Sequence, residues 1–437
     1  MVTSNAAFAK AKQAKKQIDR YGNRASPWVP LGYRHSGPAG DASTIDNTNT
    51  MFNQRLTMQA PAGADIIGLR IVWPRFNGSA SWERNADVPL SGVTDSVIYN
   101  GVAYPVYWQG VRSHPIESGR GVMRSDPLMV RIPAGAYFSL GSFGSWTNNG
   151  ATGLRMGNVN GFYEVDISNP YLSAMGGAVN EGMARGTSLS DLTLTTGNAV
   201  SNTGGGLYYP LGVEVMLSTF QPCVLFGGDS IITGFADYST DPLYRAGYGK
   251  RGLANSLPWL ALSKGSTTAA QAQNRPDGLW DASINTGVTD FVNAWGRNDI
   301  NSGTSAATLR GYMDTIEAPF KAGSIRVWRA TIPPTTTSTD SWATLANQTV
   351  ANAGYEAVRL AYNADLRANW ASYGLAGVID LAASVESGGA SAPSGKWRVD
   401  NGGANTKDGV HPNGRGHSQA ISDSVISAAK FKAAAGI

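Results

Sequence analysis

At 437 residues the chain exceeds the usual size of one compact core, so two domains are expected. One cysteine (Cys223) excludes a disulfide framework, and four histidines make a structural zinc site a poor fit. A formal charge of +4 and only 15% charged residues give no electrostatic case for a nucleic-acid enzyme, while 53 glycines indicate a loop-rich globular protein containing β-structure.

Residues 4–20, rich in Ala, Lys and Gln and free of Gly and Pro, read as a short helix inside a basic arm over 1–25. Lys10, Lys12, Lys15, Lys16, Arg20 and Arg24 face Asp19 alone there, a pattern more common in solvated tethers than in nucleic-acid contacts. Met1 is followed by a Lys-rich stretch with no apolar leader core, and no run approaches the ~20 apolar residues that span a bilayer. A soluble protein is expected, in the cytoplasm or carried outside the cell, on a virion for example, without a leader.

Between 26 and 219, short β-prone runs recur at 55–59, 66–73, 97–99, 102–108, 128–132 and 136–140, separated by Gly, Pro, Asn and Asp. Asn100-Gly101 suits a tight hairpin because both residues tolerate positive φ. No long helical periodicity occurs, which predicts an all-β sandwich with a carbohydrate-binding or scaffold role.

From about 220 to 437 the pattern becomes strand and helix in alternation. Strands are expected at 222–226, 259–263, 290–295, 325–330 and 377–381, and helices at 305–321 and 354–370 from apolar residues three and four apart, with a last helix at 415–434. The Thr-rich piece 333–339 reads as a loop. This rhythm predicts a parallel sheet with helices on both faces, where functional groups gather beyond the carboxyl ends of strands.

Ser230, Gly265 and Asn298 each follow a predicted strand. A serine hydroxyl needs a positioned base to become a nucleophile, and histidine is the common one near neutral pH. His35 and His114 lie in the β-rich half, and His417 lies in the last predicted helix, where it caps or packs. His411 is the candidate base, with Asp408 three residues earlier placed to hold its other ring nitrogen. The oxyanion of acyl transfer needs donors, for which the Ser230 amide, the Gly265 amide (Gly252 being a rival) and the Asn298 side chain are assigned.

Gly228-Asp229-Ser230, a glycine block at Gly265, Gly296-Arg297-Asn298-Asp299 and Asp408-Gly409-Val410-His411 together resemble the SGNH hydrolases, the GDSL esterase/lipase superfamily. The resemblance covers 220–437. It implies a three-layer α/β/α, flavodoxin-like fold, with Ser230 as nucleophile, His411 as base supported by Asp408, and Gly265 and Asn298 as oxyanion donors. One departure is Ile231-Ile232-Thr233-Gly234 where members often show Ile-Thr-Asp-Gly. Ser125-Asp126-Pro127-Leu128 and Ile132-Pro133-Ala134-Gly135 are fainter likenesses to the β-sandwich that precedes this domain in some carbohydrate esterases.

Two decoys are set aside. Gly247-Tyr248-Gly249-Lys250-Arg251-Gly252 fits GxGxxG without a preceding strand, and Ser427-Ala428-Ala429-Lys430 fits SxxK without companion motifs. The expected activity is serine ester hydrolysis without metal or cofactor, on an O-acetylated carbohydrate or another small ester. Asp229, Trp295, Arg297 and Trp397 are candidate substrate contacts, the tryptophans as faces for sugar rings. The alternatives are a carbohydrate-binding or phage-tail structural protein with an incidental hydrolase domain, and a short-chain lipase or thioesterase. No nucleic-acid or membrane partner is expected, and the oligomeric state is left open.

Overall fold

The computed structural model describes residues 28–32, 45–46, 50–74, 76–77, 84–85, 90–117, 122–146, 154–155, 182–196, 212–237, 243, 245–274, 286–400 and 403–437. The basic arm and His35 lie outside the described residues.

The amino-terminal strands are antiparallel and form two main sheets. One runs in the order Trp28–Gly32, Gly212–Leu217, Ile66–Pro74, Val122–Arg124. The other runs Gly182–Gly186, Met51–Gln59, Tyr137–Trp146, Leu90–Tyr99, Val102–Pro105, with His114–Ile116 also pairing to Leu90–Tyr99. Alternate residues of both sheets meet in one apolar core, among them Leu69, Ile71 and Trp73 from the first and Leu56, Val97 and Leu140 from the second. Asn100 and Gly101 form the expected two-residue turn at φ 50° and 73°, pairing Tyr99 with Val102. The run at 128–132 forms no strand. Only Leu128 and Ile132 touch the ladder, as single bridges to Leu69 and Ile66.

The second half is built on five parallel strands in the order Trp259–Ser263, Val224–Gly228, Asp290–Ala294, Arg326–Ala330, Gly377–Ile379. Side chains alternate across this sheet. Leu225, Leu260, Leu262, Phe291 and Val327 face one helical layer, which contributes Leu309, Met313, Ile316 and Phe320. Val224, Phe226, Trp259, Ala261, Val292 and Trp328 face the opposite layer, with Ile232, Tyr248, Leu381 and Phe431. Both faces are buried, which is why these strands read as continuous apolar runs. Each fully buried aliphatic or aromatic side chain contributes roughly 1.5–3 kcal/mol.

Ser305 and Asn352 cap the helices Ala306–Ala322 and Ala353–Asn369, accepting from the Thr308 and Tyr355 amides. The last predicted helix is two helices, Gly414–Ser422 and Ala428–Ala435. Ser424 turns the chain at φ 55° and Ser427 caps the second helix, so local capping overrides an unbroken helical composition. The Thr-rich piece is likewise not a plain loop, since Thr336–Ser338 pairs with Gln348–Val350 as a hairpin.

The antiparallel and parallel sheets meet directly. Val29, Val72 and Val122 of the four-stranded sheet pack into the core beneath the parallel one. The Trp28 carbonyl accepts from Gly287 N at 2.8 Å, and the Cys223 thiol donates to the Pro30 carbonyl at 3.3 Å. Cys223 is fully buried, and burial pushes its thiol pKa well up. No helix among the described residues is long and apolar enough to cross a membrane.

Candidate active site

The apolar strand Val224–Gly228 ends at Asp229, whose carboxylate accepts from Ile231 N at 3.0 Å and so caps the short helix Ser230–Thr233. Ser230 is the first residue of that helix, and no preceding helical carbonyl is available to its amide. The side chain is 8% exposed. Its hydroxyl lies 2.8 Å from His411 Nε2, and His411 Nδ1 lies 2.6 Å from Asp408 Oδ2. The other Asp408 oxygen accepts from Val410 N at 2.9 Å and from His411 N at 2.8 Å. Burial alone would raise the Asp408 pKa, but the hydrogen bonds from the His411 ring and from the His411 and Val410 amides hold it down to about 2. The carboxylate thus stays charged, and it fixes the tautomer in which Nδ1 carries the proton and Nε2 can accept from serine.

The loop bearing His411 is fastened from several sides. Thr406 Oγ1 donates to the His411 carbonyl at 2.8 Å and accepts from Gly409 N at 3.0 Å. Asn413 caps the helix Gly414–Ser422 directly after the loop. Phe235 packs on the imidazole, with ring centroids 4.5 Å apart.

Gly265 and Asn298 come from the neighbouring strand ends. Lys264 N donates to the Gly228 carbonyl at 3.0 Å, which sets Gly265 beside the serine turn. Gly252, the rival glycine, lies in the helix Tyr248–Leu253 and packs against Ile426 instead. Asn298 donates one amide hydrogen to the Thr267 carbonyl at 2.9 Å. Asp299 completes the assembly by accepting from Ala269 N at 2.8 Å and Ala270 N at 3.1 Å, tying the glycine loop to the asparagine loop. This positioning role for the last residue of Gly296-Arg297-Asn298-Asp299 is missing from the sequence reading, although the carboxylate in that block was its signal. Thr406 carried no such signal. Replacing Asp299 with Ala should strand the buried Ala269 amide and the half-buried Ala270 amide, destabilise the fold by about 1–3 kcal/mol and lower kcat, as read by urea denaturation and ester assay of one preparation.

The four candidate substrate contacts are all interior. Trp295 is 1% exposed and donates its indole N–H to Thr267 Oγ1 at 3.1 Å. Trp397 is 0% exposed and donates to the Gly409 carbonyl at 2.9 Å. Neither offers a ring face to a sugar, so the stacking expectation for these two is corrected. Both pack the walls behind the site. Asp229 and Arg297 are buried as well. Burial pushes the Asp229 carboxyl up to about 6, and its Oδ2 has no hydrogen-bond partner among the described residues. Burial and the neighbouring Arg359 cation bring Arg297 down to about 9. Its Nη1 donates to Thr335 Oγ1, while Nε and Nη2 have no hydrogen-bond partner among the described residues.

His417 packs, as expected for a histidine set away from the serine. It is fully buried, accepts at Nδ1 from Tyr248 N at 3.1 Å, stacks on the Tyr248 ring, and is driven down to about 4 by burial. His114 lies on a strand of the antiparallel half.

Three of the four blocks therefore follow adjacent strands of the parallel sheet, and the fourth brings His411 to the Ser230 hydroxyl. No family model and no curated protein matches the chain. Solved structures similar to it include a GDSL-like lipase from Bacteroides thetaiotaomicron, 19% identical over 49% of this chain and 93% of that one, with a TM-score of 0.33. A member of the lipolytic protein G-D-S-L family from Veillonella parvula is 17% identical over 46% of this chain and 96% of that one, with a TM-score of 0.31. TesA is 16% identical over 46% and 94%, with a TM-score of 0.30. Each likeness spans about half of this chain.

Proposed function

We propose that the protein is a serine ester hydrolase of the SGNH type that removes small O-acyl groups, acetyl foremost, from carbohydrate. The observation that carries the ester hydrolysis is the unbroken chain from Asp408 through His411 to Ser230 at 2.6 and 2.8 Å. Ser230 Oγ attacks the ester carbonyl as His411 Nε2 takes its proton. The Ser230 and Gly265 amides and the second Asn298 amide hydrogen receive the oxyanion, each worth about 2.7–4 kcal/mol in the transition state. His411 returns the proton to the leaving alcohol. Water, activated by the same imidazole, then releases the acid from the acyl-serine.

The carbohydrate part of the reading is supported by the region of antiparallel sheets, which we take as a β-sandwich domain over 26–219 and which packs directly on the catalytic core. No long apolar segment sits near the blocks to favour a long acyl chain. Acetate release from a panel of acetylated polysaccharides tests it, with Ser230→Ala as the blank. Release by the wild type from at least one member is the expected result. Release from none, with p-nitrophenyl acetate still cleaved, would leave an esterase and remove the carbohydrate.

A further inference from the structure

A hairpin beyond the fourth parallel strand joins the two sides of the site. At its base, Thr335 Oγ1 accepts from Arg297, next to the oxyanion asparagine, and Thr336 N donates to the Gly409 carbonyl at 3.0 Å, two residues before the histidine. The contact at Gly409 is close. A Cβ there would lie 1.9 Å from the Thr336 carbonyl oxygen and 2.8 Å from Trp342 Cζ2, and φ is +77°. Only glycine suits that crossing.

The hairpin tip is built around one carboxylate. Asp340 accepts from Ser338 Oγ at 2.6 Å, Thr344 Oγ1 at 2.6 Å, Thr344 N at 2.9 Å, Asn347 Nδ2 at 3.0 Å and Ala343 N at 3.1 Å. Ser341 and Trp342 both take left-handed backbone, at φ 57° and 64°. For a tryptophan this conformation costs of order 1–3 kcal/mol and persists only where the surroundings impose it. Trp342 is then fixed by its own groups: its amide donates to Ser338 Oγ at 2.8 Å and its indole N–H to Thr336 Oγ1 at 2.9 Å. The ring rests on Gly409 while the residue stays partly exposed. Trp397 meets the same glycine through its carbonyl and is wholly buried. Of these two tryptophans against the histidine loop, Trp342 is the one with surface left to offer.

We propose that Trp342 is a specificity residue, the part of it left exposed receiving a pyranose ring of the esterified carbohydrate at the edge of the loop that carries His411. A rigid indole presents flat apolar area at little cost in conformational entropy, and its bonded N–H sets the plane of that face. The tight tip explains why a strained residue is kept there. This assignment rests on the carbohydrate reading above and gives it a residue.

The test compares a pyranose ester with an acyclic one, glucose pentaacetate against triacetin, by acetate release. For Trp342→Ala the ratio of kcat/KM on glucose pentaacetate to that on triacetin is expected to fall about 10-fold, mainly through KM, and Trp342→Phe should recover most of it. Thermal melting of the variants accompanies the assay, and Trp342→Leu, which keeps apolar bulk but removes the flat ring and should lower the ratio like Ala, keeps the test informative if the Ala variant folds poorly. An equal loss on both esters, or no change in the ratio for a folded Trp342→Ala or Trp342→Leu variant, would overturn the assignment. Wild type that cleaves triacetin but no glucose pentaacetate would overturn the carbohydrate reading and this assignment with it. Wild-type activity on glucose pentaacetate thus tests the carbohydrate reading, and the variants' ratio tests the assignment.

Discussion

Ser230→Ala is expected to lower kcat for p-nitrophenyl acetate by on the order of 10⁶, leaving a trace of catalysis by the oxyanion donors alone. The reason is covalent: without Oγ no acyl-serine forms, and a water placed against His411 lacks the fixed geometry of the 2.8 Å contact. The fold should not change. The Asp229 cap of the serine helix and the Thr233 Oγ1 bonds to the Asp229 carbonyl at 2.8 Å and to Ser263 Oγ at 3.0 Å do not involve the serine hydroxyl. Steady-state rates with a thermal melt of the same sample check both statements. Activity above about a hundredth of wild type in a correctly folded variant would remove Ser230 as the nucleophile.

The second large effect is at Asp408. Asp408→Asn should reduce kcat by about 10⁴ with little change in KM. An amide oxygen can still accept from the Val410 and His411 amides, so the loop keeps its shape. Facing Nδ1, however, an NH2 group demands an acceptor, which moves the imidazole proton to Nε2 and points it at Ser230. The base is then in the wrong tautomer. The same carboxylate has a pH signature. Its pKa is depressed in the folded protein, to about 2, so the stability it contributes is present above its unfolded value near 4 and is lost as pH falls toward 2. Acid unfolding of wild type should therefore be steeper than that of Asp408→Asn across this window. Parallel curves would assign no such stabilisation to Asp408.

The ordering of residues was readable where chemistry and periodicity coincide. The five parallel strands lie within a few residues of the apolar runs, because strands buried on both faces carry an unbroken apolar signal. The serine, asparagine and histidine blocks were legible because each couples an unusual residue set to a strand end or a loop. Fainter features depended on surroundings. The helix break at 423–427 follows from a left-handed Ser424 and a capping Ser427, which composition averages away. The 336–338 strand is Thr-rich and short, and it exists because a partner at 348–350 completes it.

The tryptophans divide the two kinds of information most clearly. Taken along the chain, Trp295 and Trp397 stand close to candidate catalytic blocks and look available, whereas Trp342 stands 69 residues before His411 in a polar stretch. Packing reverses this. Trp295 and Trp397 are driven inside by their area and bonded there, while Trp342 is folded back by the Asp340 tip onto Gly409.

By itself, then, the sequence singled out the candidate reacting groups and the alternation that lays down a parallel sheet, since both are written in residue type and short-range spacing. The tertiary structure alone decided which oxygen of Asp408 meets the imidazole, how Asp299 ties two loops together, and which aromatic ring is left at the surface. Those outcomes depend on contacts between segments tens to hundreds of residues apart, where burial and hydrogen-bond geometry are set by the whole fold.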